Sequence, residues 1–418
     1  MKKFIPPFFI LFALTFCGTS DNTTTVDPPV DEPDDPSDAV TVTDQLVIES
    51  DPEALQSESE LKLEDLNLPP GFNMAVYGRA NNARSMALSP SGVLFVSTRS
   101  EGSVYAFVDE NMDNKADKRI TLATGLDMPN GVAFKDGDLF VAEISKLWKY
   151  GDIENNLTST ATRELIYDDY PTDSHHGWKY IAFGPDGKLY VPVGAPCNVC
   201  ESKPDLPDSP NVHYASITRM NADGSEREVY VDGVRNSVGF AWHPVTNEMW
   251  FTDNGRDMID PDQSITDNLP PCELNRVSSL GQHFGYPYCH AGYILDPQFG
   301  DEKNCDDYVK PAQNLGAHVA PLGMKFVTSN AFPASYLNKI LIAEHGSWNR
   351  STKIGYQISM VTETNGTGQS YETFIDGWLN EATQDVWGRP VDLIFAEDGS
   401  MLISDDYSGT IYRIWYDG

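Results

Sequence analysis

The chain has 418 residues and a formal net charge of −33. A surface this acidic repels phosphate backbones and argues against nucleic-acid partners, while 40% apolar and 11% aromatic residues supply a large core. No apolar run reaches the roughly 18–20 residues of a membrane-spanning helix, and the P-loop, HExxH and GxSxG motifs are missing, which removes the readiest enzyme readings.

Residues 1–17 read as an address. Two lysines precede an apolar stretch too short to span a bilayer, the shape of a secretory signal peptide. The stretch ends at Cys17, placed as in a bacterial lipoprotein cleavage site, although Phe16 stands where a small residue is usual. The expectation is an exported chain, periplasmic or at the cell surface, held to the membrane by a lipid on Cys17. The other reading is a plain signal peptide with an incidental Cys. Residues 18–60 hold thirteen Asp or Glu, five Pro and no Lys or Arg. Such a segment buries too little apolar surface to offset its chain entropy, so it is predicted to be a disordered acidic linker.

Residues 61–418 are predicted to form one all-β unit, because one pattern recurs along them. An apolar strand, a Gly-containing turn and a second alternating strand appear at 84–98, 130–142, 180–192, 238–252, 322–343 and 392–404. Third strands follow at 103–108, 146–150, 356–361 and 410–416. The turns read ProSerGly, AspGly, ProAspGly and GluAspGly; Asp-Gly between alternating apolar residues signals a hairpin with positive φ at both central positions. Six small antiparallel sheets that each need a neighbour to bury their faces read as a six-bladed β-propeller of four-stranded blades. Long insertions at 194–214, 253–272 and 281–320 are assigned to the exits of second strands in the third, fourth and fifth copies, where binding groups gather.

All cysteines after Cys17 lie in these insertions. In an oxidising compartment loop cysteines pair. Cys197 and Cys200 can close a tight local bridge, and Cys289 with Cys305 is the second candidate. Spacing does not fix connectivity, and Cys272 is open to either partner. A zinc site lacks a second ligand pair, and no CxxCH haem motif occurs.

Polar groups gather at the starts and ends of strands. His175 and His176 precede the third copy, Arg235 and Asn236 the fourth, and Arg389 the sixth. Asn254, Gly255 and Arg256 leave the fourth; His345 and Arg350 leave the fifth. In a propeller these positions face one channel mouth, so the arginines can converge on one anionic ligand. A His beside them is a candidate general base. Singly, each is more often a structural hydrogen-bonded group or a surface ion pair; their shared position raises the functional case.

The ordered series His176-Gly-Trp-Lys-Tyr-Ile-Ala-Phe-Gly-Pro-Asp-Gly, Gly-Val-Arg235-Asn236, Asp-Asn254-Gly-Arg-Asp, Glu273-Leu-Asn-Arg, Gly-Gln-His-Phe-Gly285-Tyr-Pro, Glu-His345-Gly-Ser-Trp-Asn-Arg350 and Gly-Arg389-Pro-Val-Asp resembles the glucose/sorbosone dehydrogenase family, over roughly residues 65–417. These are six-bladed propellers that use pyrroloquinoline quinone (PQQ); the sorbosone-dehydrogenase-like branch is the nearer match. The resemblance implies PQQ and calcium as cofactors and His176 as the catalytic base. It implies that Arg235, Asn236, Asn254 and Arg389 contact the cofactor, with Arg84 as a weaker candidate. The backbone carbonyls of Gly255 and Arg256 fall where the family holds Ca²⁺. Lys179 stands where the family has Arg, and His345 where the soluble glucose enzymes have a cofactor-binding Lys. Arg350 joins the cofactor-binding candidates.

The implied reaction is oxidation of an aldose, a sorbosone-like aldehyde or a related sugar, with electrons passing to a separate cytochrome or quinone. A propeller of the same fold that only binds carbohydrate or another ligand is the second hypothesis, weighed on the Lys179 and His345 departures. A calcium-dependent lactonase ranks last, because the channel motifs supply more Arg than Glu.

Overall fold

The computed structural model describes residues 40–201 and 213–418. Cys17 and the signal peptide lie outside the described residues, as do residues 18–39 of the linker. Among the described residues no helix is long and apolar enough to cross a membrane.

Six antiparallel sheets form the six-bladed propeller, each running outward from an inner strand. Blade 1 holds Ala83–Leu88, Leu94–Thr98, Val104–Val108 and Lys118–Ala123. Blade 2 holds Gly131–Lys135, Asp138–Ala142, Leu147–Tyr150 and Thr160–Tyr167. Blade 3 holds Ala182–Phe183, Leu189–Val193, Ser216–Met220 and Glu228–Asp232; blade 4 holds Phe240–Trp242, Met249–Asp253, Pro271–Arg276 and Gln313–Ala317. Blade 5 holds Pro321–Phe326, Ile340–Glu344, Gln357–Thr364 and Thr367–Ile375. Blade 6 joins the two ends of the ring: Pro390–Phe395, Met401–Asp405 and Thr410–Tyr416 receive Phe72–Arg79 as their outer strand.

The apolar alternation is consumed between blades rather than within them. Phe95 and Val104 of blade 1 pack with Leu139 and Trp148 of blade 2; Tyr190 and Ile217 of blade 3 pack with Phe240 and Phe251 of blade 4; Leu341 and Ile358 of blade 5 pack with Leu393 and Tyr412 of blade 6. The other three seams are filled in the same way. A blade alone would leave these faces wet, so burial holds the ring closed.

Among the Gly turns singled out from sequence, positive φ at both turn positions holds at Asp136 (φ 53°) and Gly137 (φ 92°); Asn365 (φ 52°) and Gly366 (φ 80°) make a second such hairpin, in blade 5. At ProSerGly, ProAspGly and GluAspGly, Gly92, Gly187 and Gly399 have positive φ and the residue before does not. There the Asp side chain accepts a backbone N–H two residues on, as Asp186 does from Lys188 and Asp398 from Ser400. The glycine then absorbs the left-handed step alone.

Two assignments from sequence change. The predicted disordered linker ends earlier than residue 60. Thr41–Gln45 pairs with the outer strand of blade 2 and Val47–Glu49 with that of blade 1, giving both blades a fifth strand. Val42 and Leu46 pack on the seam between these blades, and Leu55 is fully buried. Two of the segment's acids find arginines: Asp44 pairs with Arg163, and Glu49 with Arg119. The average composition of 18–60 hides this short alternating stretch. The second change concerns 281–320: residues 281–312 lie between the third and outer strands of blade 4 rather than at a second-strand exit, and Gln313–Ala317 is that outer strand itself. The insertion carries a small hairpin, Cys289–His290 with Ile294–Leu295. Disulfides join Cys197 to Cys200 and Cys289 to Cys305, and Cys272 is a buried free thiol.

Candidate functional site

A cavity of about 570 Å³ opens where the strand starts and second-strand exits of the blades meet. Arg84, His176, Arg235, Asn236, Asn254, Gly255, His345 and Arg389 line it. Four arginines face it in a strongly acidic protein: the fourth, Arg99, leaves the second strand of blade 1.

Each arginine is fixed by its loop. Asp253, at the end of a blade 4 strand, accepts the backbone N–H of Arg235 at 2.8 Å and of Asn236 at 2.7 Å. Burial raises this carboxyl to about 6, against those hydrogen bonds. Asp405 does the same in blade 6, accepting the Arg389 N–H at 2.9 Å. The Arg389 guanidinium then donates to the carbonyls of His345 (2.9 Å) and Gly346 (3.0 Å) and lies over the Tyr356 ring. Arg84 is fully buried; it donates from Nε to Asn130 at 2.7 Å and pairs with Asp406 at 2.9 Å. Asp406 also takes a 2.7 Å contact from His345 Nε2. The two partners hold Asp406 ionised well below the usual carboxylate range, against its burial, while desolvation lowers His345 to about 4.

His176 sits before blade 3 with φ 54°, and its Nδ1 lies 2.8 Å from the carbonyl of Ala195. A carbonyl only accepts, so Nδ1 carries the proton and Nε2 keeps its lone pair. Burial, Arg235 and His175 together push the ring down to about 2, so it is neutral throughout the working pH range. Gly194 is required beside it, because a Cβ there would stand 2.6 Å from that of His176.

Two predicted cofactor residues, Lys179 and Arg350, point elsewhere, as does the side chain of Arg256. Lys179 does not line the cavity. Trp178 before it takes the cavity face, so the lysine turns inward, where Nζ bonds the Gly177 carbonyl at 3.0 Å beside the Tyr170 ring. Desolvation, with Arg227 nearby, lowers it from 10.5 to about 7. The unfolded chain therefore binds a proton between pH 7 and 10.5 that the fold releases, and this lysine costs stability below that window. Lys179→Met is expected to raise stability at pH 7 by about 2–4 kcal/mol. The gain should shrink toward pH 10 and PQQ binding should not change; thermal midpoints at both pH values check it. Arg350 instead ties loops together, reaching the carbonyls of Thr352 (3.1 Å), Asp267 and Ala317. Arg256 turns its guanidinium away to Asp296 and the Met258 carbonyl, leaving only its backbone near Gly255.

The sequence reading left out several lining groups. Arg99 stacks on Trp178 at 4.4 Å, and Trp348 stands 72% exposed at the rim. Asp257 presents the lining carboxylate; its side chain receives Asn349 and stands 3.5 Å from His318 Nδ1. Arg99 was findable by position, because it leaves a second strand just as Asn254 and His345 do.

The TrAA12-like family model matches residues 66–417. An uncharacterized protein of Borreliella burgdorferi is 33% identical over 84% of this chain and 91% of its own length. The pyrroloquinoline quinone-dependent pyranose dehydrogenase of Coprinopsis cinerea is 25% identical over 84% of this chain, which spans 54% of that protein's length. Two solved structures share the fold with a TM-score of 0.70 at 20% identity, each covering 84% of this chain and 97% of its own. They are the holo PQQ domain of the Coprinopsis cinerea enzyme and a calcium structure of a Trichoderma reesei AA12 enzyme. The motif order that resembles sugar-oxidising quinoproteins thus meets a match over the whole propeller: the chain belongs to the TrAA12-like family, whose named relatives here are PQQ-dependent sugar dehydrogenases.

Proposed function

We propose that the protein is an exported PQQ- and calcium-dependent dehydrogenase of an aldose, a sorbosone-like aldehyde or a related sugar. The observation that carries this is the cavity that sets four arginines around a neutral His176. PQQ has three carboxylates, and Arg84, Arg99, Arg235 and Arg389 are donors of the kind that binds carboxylates in forks. Asn236 and Asn254 add polar contacts on the same wall. Among the described residues no three His, Cys, Asp or Glu side chains cluster as a metal site. The resemblance puts calcium on the carbonyls of Gly255 and Arg256; Gly255 and Asp257 line the cavity there, and carbonyl and carboxylate oxygens are donors of the kind this ion takes.

When bound, PQQ supplies a hydride-accepting ortho-quinone, and calcium the Lewis acid that polarises it. The protein's share is positioning and proton movement. The Ala195 carbonyl holds the Nδ1 proton and orients the ring, and Nε2 is free to take a proton from a sugar hydroxyl. Burial depresses His176 most and the Arg235 charge next; an anionic ligand in the cavity would offset the second of these. Trp348 offers its exposed ring to the apolar face of a sugar. Electrons leave to a separate acceptor, a cytochrome or a quinone. A lipid on Cys17 would tether the chain to the membrane.

Calorimetric titration with PQQ, with and without Ca²⁺, tests the proposal. Calcium-dependent binding, followed by dye reduction with one of a panel of sugars, is the expected result. No heat at micromolar PQQ overturns it and leaves a propeller that binds another ligand.

A further inference from the structure

We propose that Asn198, in the short loop closed by the Cys197–Cys200 disulfide, is a positioning residue that aims Arg235 into the cavity. The inference rests on the reading of Arg235 as a contact to an anionic cofactor.

Arginine has five N–H donors, and Arg235 gives three of them to two neighbours. Its Nε bonds the Asn198 carbonyl at 2.8 Å, one Nη bonds the Asn198 side-chain oxygen at 2.9 Å, and the other Nη bonds the Asn254 carbonyl at 3.1 Å. The remaining donors sit on the two Nη atoms, the outer edge of the fork. Asp257 stands 3.6 Å from one of them.

Asn198 is itself held from the other side. Its side-chain oxygen also accepts the Asp257 N–H at 2.8 Å, and its amide nitrogen donates to the Asp257 carbonyl at 2.9 Å. One amide thereby joins the blade 3 exit loop, Arg235 before blade 4, and the loop that follows Gly255. The disulfide fixes the chain on either side of Asn198, and the Cys200 N–H adds a 3.0 Å bond to the Tyr286 hydroxyl. A long side chain loses rotamer freedom when it grips a ligand. Fixing it beforehand removes that loss from the binding step. The sequence reading treated Cys197–Cys200 as a clamp on a loop; the geometry makes it the mount of a binding arginine.

A double-mutant cycle on the full chain tests this, with PQQ and Ca²⁺ as the probe and affinity read by calorimetry. Arg235→Ala is expected to weaken PQQ by about 100-fold and Asn198→Ala by about tenfold. The double variant should bind no more weakly than Arg235→Ala alone, because residues acting through one contact are not additive. Asn198→Asp keeps the side-chain oxygen that accepts from Arg235 but loses the N–H given to the Asp257 carbonyl, and should bind between Asn198→Ala and the parent. Cys197→Ser with Cys200→Ser should fall between Asn198→Ala and the parent. Additive losses, or an Asn198→Ala affinity equal to the parent's while Arg235→Ala binds weakly, overturn the positioning role and leave the cofactor site standing. An Arg235→Ala variant that binds PQQ as the parent does overturns the site reading itself, and this inference with it.

Discussion

His176→Ala is expected to bind PQQ within about threefold of the parent and to lose about 10²–10⁴-fold in kcat, the usual worth of a positioned general base. Among the described residues the ring has one hydrogen-bond partner, the Ala195 carbonyl, and it carries no charge, so its removal leaves the arginines in place. The left-handed backbone there complicates the substitution, since alanine accepts φ 54° less readily than asparagine. His176→Asn therefore serves as the companion: it suits the backbone but offers no lone-pair nitrogen. Both variants should fall together in a dye-reduction assay while calorimetry shows retained binding. Asparagine at full rate would remove the base from His176.

Asp406→Ala should have the largest effect on stability. Its carboxylate holds both the buried Arg84 guanidinium and His345. Without it Arg84 is an uncompensated buried charge, a loss of about 3–5 kcal/mol where one partner of a buried pair is removed. A polyanionic ligand in the cavity would supply the missing charge. Saturating PQQ should then raise the thermal midpoint more in Asp406→Ala than in the parent, since a ligand stabilises in proportion to its binding to the folded state. Equal shifts in both proteins would show that Arg84 does not meet the ligand.

The propeller was legible because its signals are local. Turn glycines and two-residue alternation repeat within each blade, and six copies leave few architectures open. Strand starts and exits gave the site's positions for the same reason: in a propeller they share one face. Side-chain direction was harder. Trp178 and Lys179 are neighbours, and sequence alone does not say which one faces the cavity; the structure gives that face to the tryptophan. Arg350 carries the same charge as Arg389, and both give N–H groups to backbone carbonyls, yet only Arg389 lines the cavity. Asn198 carried no signal, because its role exists only once the chain brings residues 198, 235 and 257 together. The acidic stretch at 41–49 was misread because charge was summed over the whole segment, while folding depends on where Arg163 and Arg119 wait on the adjoining blades.

That stretch has a mechanical consequence for the ring. One continuous segment pairs with blade 2 and then with blade 1, so it bridges the seam between them. Parting those two blades requires peeling the segment from at least one of them, in addition to exposing the apolar seam. Transient opening of the ring is thereby steered to the other five seams, in keeping with the uneven local stability of folded chains. The same segment shields the outermost backbone groups of blades 1 and 2, rows that would otherwise template edge-to-edge association with another chain. In their place stand two edges of five and three residues, too short to recruit a partner strand efficiently.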